Sequence, residues 1–173
     1  MLKMFTTQLI GRLKMIEEKE VYNLEDAARL LAQALVGEGN IFIYTEPQME
    51  GILAEAFNGP EPLEKVEKLN DANLGSLTSA DRVILFLQNL NSNAGLKLAE
   101  TLYHKGIPFA ACGSLGRKDE NRMEEWAYVT INLHTDQGLV PTDTGRAGFV
   151  HQLAALYVYH GIKLFLDEMM EDL

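Results

Sequence analysis

Residues 81–95, which read DRVILFLQNLNSNAG, are the stretch that decides the fold of this chain. The apolar run 83–87 predicts a buried β-strand, the polar residues after it predict a loop, and the apolar spacing from Asn93 onward predicts a helix. Open α/β sheets bind ligands at such a strand end, because N–H groups at a helix start favour an anion. The loop carries amides and one hydroxyl, which suit holding a polar ligand better than attacking one.

The segments on either side of this stretch alternate between helix and strand. Helices are predicted at residues 1–19, from Asn23 to Gly37, at 47–57, after Asn93 to Gly106 and at 145–171, and strands at 41–44, 66–69, 83–87, 107–112 and 128–133. Helices between short apolar strands imply crossover connections and a parallel sheet. We therefore predict one α/β domain, a three-layer sandwich with a five-stranded parallel sheet in the order 2-1-3-4-5. An N-terminal helical arm and a long C-terminal helix flank it.

The amino-acid composition argues against several classes of protein. The 173-residue chain has a formal net charge of −10, which argues against nucleic acid as a partner because a phosphate backbone requires clustered Lys and Arg. No apolar run approaches the roughly 20 residues of a membrane span, and the first 16 residues are a poor signal peptide. A single cysteine excludes an internal disulfide and fits a reducing compartment. We expect a cytoplasmic protein that needs no metal or other cofactor.

Two phrases carry a resemblance to a known family. They are ADRVIL at residues 80–85, which the polar loop follows, and KGIPFA at residues 105–110. Together with the order of helices and strands, they resemble the sugar isomerase (SIS) domain over nearly the whole chain, residues 1–173. The chain looks most like the single-domain phosphoheptose isomerases, and the resemblance suggests a Gram-positive branch of that superfamily. It implies a five-stranded parallel sheet with a sugar phosphate bound at the strand ends.

The two phosphate loops of the SIS family are altered in this chain. The family has a glycine- and serine-rich loop after the first strand, where this sequence reads TEPQM at residues 45–49. The family's Ser-x-Ser-Gly-x-Ser/Thr loop corresponds to residues 88–93, QNLNSN, so that amides replace most hydroxyls. Amides can donate hydrogen bonds to a polar ligand, and an arginine fork suits phosphate oxygens. The predicted ligand-binding residues are Thr45, Gln48, Gln88, Asn89, Asn91, Ser92, Asn93, Ser114 and Arg146.

The resemblance also implies a pair of catalytic groups. Phosphoheptose isomerases use a glutamate after the first loop and a histidine on the last helix as acid and base. His160 falls at the histidine position, while the glutamate position falls near Asn58, which leaves Glu55 and Glu61 as displaced candidates. An enzyme of this kind would interconvert an aldose phosphate and a ketose phosphate by proton transfer. His151, nine residues before His160, is predicted to point to nearly the opposite side of the helix.

Simpler interpretations remain open beside these. The loop amides are also the residues that ordinary turns and helix caps favour, His160 could be a packed core histidine, and Cys112 reads as a buried small residue. The chain could be a non-catalytic module that binds a phosphosugar or another metabolite, or that only assembles with itself. The last helix is apolar on nearly all sides over residues 149–166, which predicts a homo-oligomer, either a dimer or a tetramer.

Overall fold

The sheet has the five parallel strands that the sequence predicts. The computed structural model describes all 173 residues, and its strands are β1 (Ile41–Thr45), β2 (Val66–Lys68), β3 (Arg82–Asn89), β4 (Phe109–Ser114) and β5 (Val129–Asn132). All neighbouring pairs are parallel, and the order is β2-β1-β3-β4-β5, which confirms the predicted topology.

Helices cover both faces of the sheet and complete the predicted three layers. They are α1 (Leu2–Val36), α2 (Gly51–Asn58), α3 (Asp71–Leu74), α4 (Asn93–His104) and α5 (His151–Glu171), and a two-stranded hairpin of β6 (Val140–Thr142) and β7 (Gly145–Ala147) precedes α5. One apolar core joins α1, α2 and α5 to one face of the sheet. The other core joins α4 to the opposite face.

The central strand β3 supplies both cores because its side chains alternate between the two faces. Ile84 and Phe86 pack with α1 and α5, whereas Val83, Leu85 and Leu87 pack with α4. All five are at most 2% exposed. A strand that is covered on both faces reads as an unbroken apolar run, which is the pattern in the sequence.

The N-terminal region forms one helix, so the prediction of two separate helices was wrong. Asn23 was expected to cap a second helix, but its side chain donates a hydrogen bond to Glu20 Oε2 at 2.8 Å within the continuous α1. No proline interrupts these residues, and Gly11 is exposed on the helix surface. The helix therefore continues for 35 residues.

The C-terminal helix begins six residues later than predicted, at His151 rather than Gly145. The β6–β7 hairpin occupies residues 140–147, and Gly145 and Gly148 have φ angles of 142° and 75°. Residues in this conformation cannot belong to a right-handed helix. Residues 47–57 differ as well, because a short 3₁₀ turn at Pro47–Met49 precedes α2.

No helix in the structure is both long enough and apolar enough to cross a lipid bilayer.

We expect Gly39→Ala to destabilise the protein by about 1–3 kcal/mol, because overpacking strains the backbone. A Cβ at Gly39 would lie 1.8 Å from the carbonyl oxygen of Ala80. That contact lies beside the hydrogen bond in which Asp81 accepts from the N–H of Asn40 at 2.9 Å, where β1 and β3 begin. Urea unfolding measures the change.

Gly11→Ala is the matched control. Nothing lies within 4 Å of a Cβ at Gly11, and the residue is inside α1. The substitution should stabilise the protein by roughly 0.5–1 kcal/mol, because alanine loses less backbone freedom than glycine in a helix. Equal effects of the two substitutions would contradict the close approach at Gly39.

Candidate functional site

A polar cleft of about 440 Å³ lies at the carboxyl ends of β1, β3 and β4. It is lined by Glu46, Gln88, Asn89, Ser92, Ser114, Asp136, Phe149 and His151. These residues come from five separate segments of the chain. The cleft is in the place where open parallel sheets bind their ligands.

The loop between β3 and α4 forms one wall of the cleft. Ser92 caps α4, because its Oγ accepts a hydrogen bond from the N–H of Gly95 at 3.1 Å. Asn89 Oδ1 accepts from the N–H of Asn91 at 2.7 Å, which holds the turn. Helix geometry leaves the N–H groups of Asn93 and Ala94 without an intrahelical acceptor. The start of α4 is therefore a donor-rich, electropositive end of the cleft.

Asn91 holds this loop in place from behind. Its Nδ2 donates to the carbonyl of Glu120 at 2.8 Å, and its Oδ1 accepts from the N–H of Arg122 at 3.0 Å. Both polar atoms of the side chain are thus bonded to the segment after β4. Asn91 serves to anchor the loop rather than to face the cleft.

His151 stands on the opposite wall, at the first position of α5. Its Nδ1 lies 3.0 Å from Thr135 Oγ1, and its Nε2 lies 3.5 Å from Gln88 Nε2. The ring of Phe149 stacks on the imidazole with a centroid distance of 6.1 Å. Burial lowers the pKa of His151 below the ordinary 6.5, and the negative charge of Asp136 partly opposes that effect. The ring is therefore a neutral imidazole near pH 7.

Helix α1 holds the loop that positions His151. His134 has a φ of 53°, and its Nε2 lies 3.0 Å from Glu20 Oε1 on α1. The side chains of His134 and Glu20 are only 15% and 9% exposed. Thr135, the next residue, is fully buried and carries the hydroxyl that meets His151. A chain of contacts thus runs from α1 to the cleft.

Two carboxylates make the cleft acidic. Glu46 follows β1, and its Oε1 accepts a hydrogen bond from the N–H of Gln88 at 2.8 Å. Its own N–H donates to the carbonyl of Phe86 at 3.0 Å, which fixes the turn. Asp136 follows Thr135 and is exposed at the rim. No lysine or arginine lines the cleft.

Four of the nine predicted ligand-binding residues line the cleft. They are Gln88, Asn89, Ser92 and Ser114. The hydroxyl of Ser114 donates to the carbonyl of Gln88 at 2.6 Å, so β4 supports the loop directly. Asn93 is exposed at the first position of α4, next to the cleft wall.

Three other predicted ligand-binding residues do not line the cleft. Arg146 donates to the carbonyls of Gly138 and Leu139 at 2.6 and 3.3 Å, so its guanidinium holds the β6–β7 hairpin. Gln48 is exposed in the 3₁₀ turn. Thr45 Oγ1 is buried without a hydrogen-bond partner.

The predicted catalytic residues lie outside the cleft of the same chain. His160 is exposed on α5 and lines a groove against α1 with Glu17 and Val21. Burial raises the pKa of Tyr159 to about 12, and the charges of Glu55, Asp167 and Glu61 add to the shift. Neither Glu55 nor Glu61 lines the cleft. The catalytic role of His160, Glu55 and Glu61 stays a prediction, because none of the three lines the cleft of a single chain.

Five residues that build the site are not among the predicted ligand-binding residues. They are Glu46, Thr135, Asp136, Phe149 and His151. The predicted helix start at Gly145 placed Phe149 and His151 in the interior of a helix, whereas Phe149 lies between the hairpin and α5 and His151 is the first residue of α5. Gly145 and Gly148 were the sequence signal that could have predicted a turn here and a later start of the helix.

The structure brings together no group of three or more His, Cys, Asp or Glu side chains that could hold a metal ion.

We expect the pKa of His151 to lie below 6.5 in an NMR titration, because burial disfavours the imidazolium. Asp136→Asn should lower it further by removing the opposing charge. Since the folded pKa is below the unfolded value, the contribution of His151 to stability is present above about pH 6.5 and lost as the pH falls. Asp143→Asn, an exposed hairpin carboxylate, is the control. A pKa above 6.5 would contradict a buried neutral ring.

Comparison with known proteins places the chain in a family. A family model described as a domain of unknown function, DUF2529, matches residues 1–170. The uncharacterized protein YwjG of Bacillus subtilis strain 168 is 36% identical over 173 residues, which cover 99% of each chain.

Solved structures share the fold. Phosphoheptose isomerase GmhA from Neisseria gonorrhoeae has 15% identity and a TM-score of 0.67, over 94% of this chain and 95% of that one. The NanR protein of Vibrio vulnificus, solved with ManNAc-6P, has 8% identity and a TM-score of 0.66, over 99% of this chain and 62% of that one. At these identities the likeness shows the fold alone, and it confirms the predicted resemblance to the SIS domain. The chain belongs to the DUF2529 family and has the fold of the SIS-domain sugar-phosphate isomerases.

Proposed function

We propose that this protein binds a sugar phosphate in the cleft at the strand ends. The observation that carries this proposal is the convergence of the β3–α4 loop, the start of α4 and His151 on one polar cleft. Its volume of about 440 Å³ is in the range of small-molecule sites. Proteins of the same fold include GmhA, a phosphoheptose isomerase, and NanR, which was solved with ManNAc-6P.

The two ends of the cleft would divide the ligand between them. The phosphate would lie at the start of α4, near Ser92 and the N–H groups of Asn93 and Ala94, because a helix N-terminus favours an anion. The sugar would extend toward Gln88 and His151. Neutral imidazole and amide groups both donate and accept, as sugar hydroxyls require.

Aldose–ketose isomerisation is the second candidate function. It is favoured by one observation, that a neutral imidazole and a carboxylate, His151 and Glu46, line the same cleft. An isomerase must move a proton between adjacent carbons, which requires a base with a pKa near the working pH. Binding alone is the first candidate because the residues at the family's catalytic positions are not in this cleft.

The outer face of α1 and α5 favours a homo-oligomer, as the sequence predicts. Leu153 and Leu164 are 42% and 67% exposed on α5, and helix geometry puts residues at this spacing on the same side of the helix. Large apolar side chains exposed together mark association sites. His160 lies in the groove between the same helices, so a role for it with Glu55 or Glu61 depends on a second copy.

The single cysteine fits a function in the cytoplasm. Cys112 is fully buried at the centre of β4, and burial raises the pKa of its thiol far above the ordinary range. Such a thiol is unreactive. A single cysteine cannot form an internal disulfide, the bond that is typical of small proteins in oxidising compartments.

We expect sugar phosphates to stabilise the protein against thermal unfolding, with sedoheptulose 7-phosphate among those tested. A ligand at 100 times its dissociation constant should add about 2.7 kcal/mol of stability. Ser92→Ala should weaken binding in calorimetry by roughly tenfold, the value of a hydrogen bond to a charged group.

Ser79→Ala is the control for this experiment, because Ser79 is exposed in a turn before β3 and does not line the cleft. It should leave the affinity unchanged. If no sugar phosphate stabilises the protein at millimolar concentration, the proposed binding function is wrong.

Isomerisation predicts solvent exchange during turnover. An aldose phosphate incubated with the protein in deuterium oxide would give a ketose phosphate that carries deuterium at the carbon receiving the proton, which NMR detects. His151→Ala would abolish the exchange, and His104→Ala, which changes an exposed histidine at the end of α4, would not. A ligand that binds without exchange would rule out this second function and leave binding alone.

A further inference from the structure

We propose that the sugar phosphate bound in this cleft carries a free amino group, which Glu46 and Asp136 hold in its ammonium form while Phe149 covers it. This inference rests on the proposed function and narrows its ligand class to amino sugar phosphates.

The charge of the cleft is the first support. Two of its eight lining residues are carboxylates, and none is a lysine or an arginine. The ion pairs in the structure involve neither Glu46 nor Asp136, so no cation of the protein neutralises them. His151 is no substitute, because burial lowers its pKa and keeps the ring neutral near pH 7. The cleft thus has a net negative charge that a bound cation would offset.

The fixed position of Glu46 is the second support. Its Oε1 accepts the N–H of Gln88 at 2.8 Å, and its backbone N–H is bonded to Phe86. The carboxylate is therefore held at the cleft instead of turning into solvent. An ionised carboxylate only accepts hydrogen bonds and has about four acceptor positions, so most remain for a ligand that donates. An ammonium group supplies three such donors.

The aromatic ring at the rim is the third and independent support. Phe149 lines the cleft and is 58% exposed, although an apolar ring of this size is normally buried. It stacks on His151, so one face is already supported. Cations bind over aromatic faces, and an aromatic ring beside carboxylates is an arrangement that recognises ammonium groups.

Two kinds of group in the cleft have opposite electrostatic character. The N–H groups at the start of α4 favour the phosphate, whereas the carboxylates of Glu46 and Asp136 repel an anion and attract a cation. A ligand that carries both an anionic and a cationic group satisfies both. A phosphate of an uncharged sugar has no cationic group to pair with the two carboxylates. A phosphate of an N-acetylated amino sugar lacks that cationic group as well, because an amide nitrogen is not protonated.

Calorimetry with three probes tests this inference on the complete chain at pH 7. The probes are glucosamine 6-phosphate, glucose 6-phosphate and N-acetylglucosamine 6-phosphate. We expect glucosamine 6-phosphate to bind at least about tenfold more tightly than the other two, the value of one charge-assisted hydrogen bond. Glu46→Gln should remove most of this preference while keeping the affinity for glucose 6-phosphate, because the glutamine Oε1 can still accept the N–H of Gln88.

Glu50→Gln is the matched control, since Glu50 is exposed at the start of α2 and does not line the cleft. It should keep the full preference, and Asp136→Asn should reduce it. Equal affinities for glucosamine 6-phosphate and glucose 6-phosphate would overturn the amino-group inference and leave the proposed function standing. If neither these probes nor any other sugar phosphate binds, the proposed function fails and the inference fails with it.

Discussion

Burial of β3 on both faces is the constraint on which the rest of this structure depends. Its five apolar side chains alternate between the two cores, so both layers of helices pack against this one strand. The parallel pairing with β1 and β4 then brings three strand ends to the same edge of the sheet. Because the strand changes from apolar to polar at Gln88, the position where the core ends is also the position where the cleft begins.

The cleft is held open by contacts that lie outside it. Asn91 links the β3–α4 loop to the segment after β4 by hydrogen bonds. Glu20 links α1 to the loop that contains His134 and Thr135. The contact of Glu20 with His134 is largely buried, and buried polar groups are costly when unpaired, so it stabilises one geometry of the loop that it holds. The ligand-facing groups are thereby positioned by residues that no ligand needs to touch, which is how precise binding sites are supported.

The cleft lies at the strand ends, where the resemblance to the SIS domain implies a sugar-phosphate site, and its side chains differ from that family's pattern. By that resemblance, amides replace the glycine and two of the three hydroxyls, Leu90 replaces the third hydroxyl, and the Glu46 carboxylate lies in the loop after β1. The amides still donate hydrogen bonds, whereas the Glu46 carboxylate only accepts them and adds a negative charge to the cleft. Fold and ligand class are separable in this way because backbone packing sets the first and a few side chains at the strand ends set the second.

The sequence by itself determined the sheet, its order and the loop at residues 88–93, because apolar periodicity and turn residues are local signals. It also placed Gln88, Asn89, Ser92 and Ser114 at the site, since each follows or ends a predicted strand. Only the tertiary structure decided that Glu46, Asp136 and His151 share one cleft with them, because these residues are up to 105 positions apart and meet through strand pairing and helix packing. It also placed His160 in a groove between α5 and α1, outside the cleft, because the packing of these two helices is a tertiary contact.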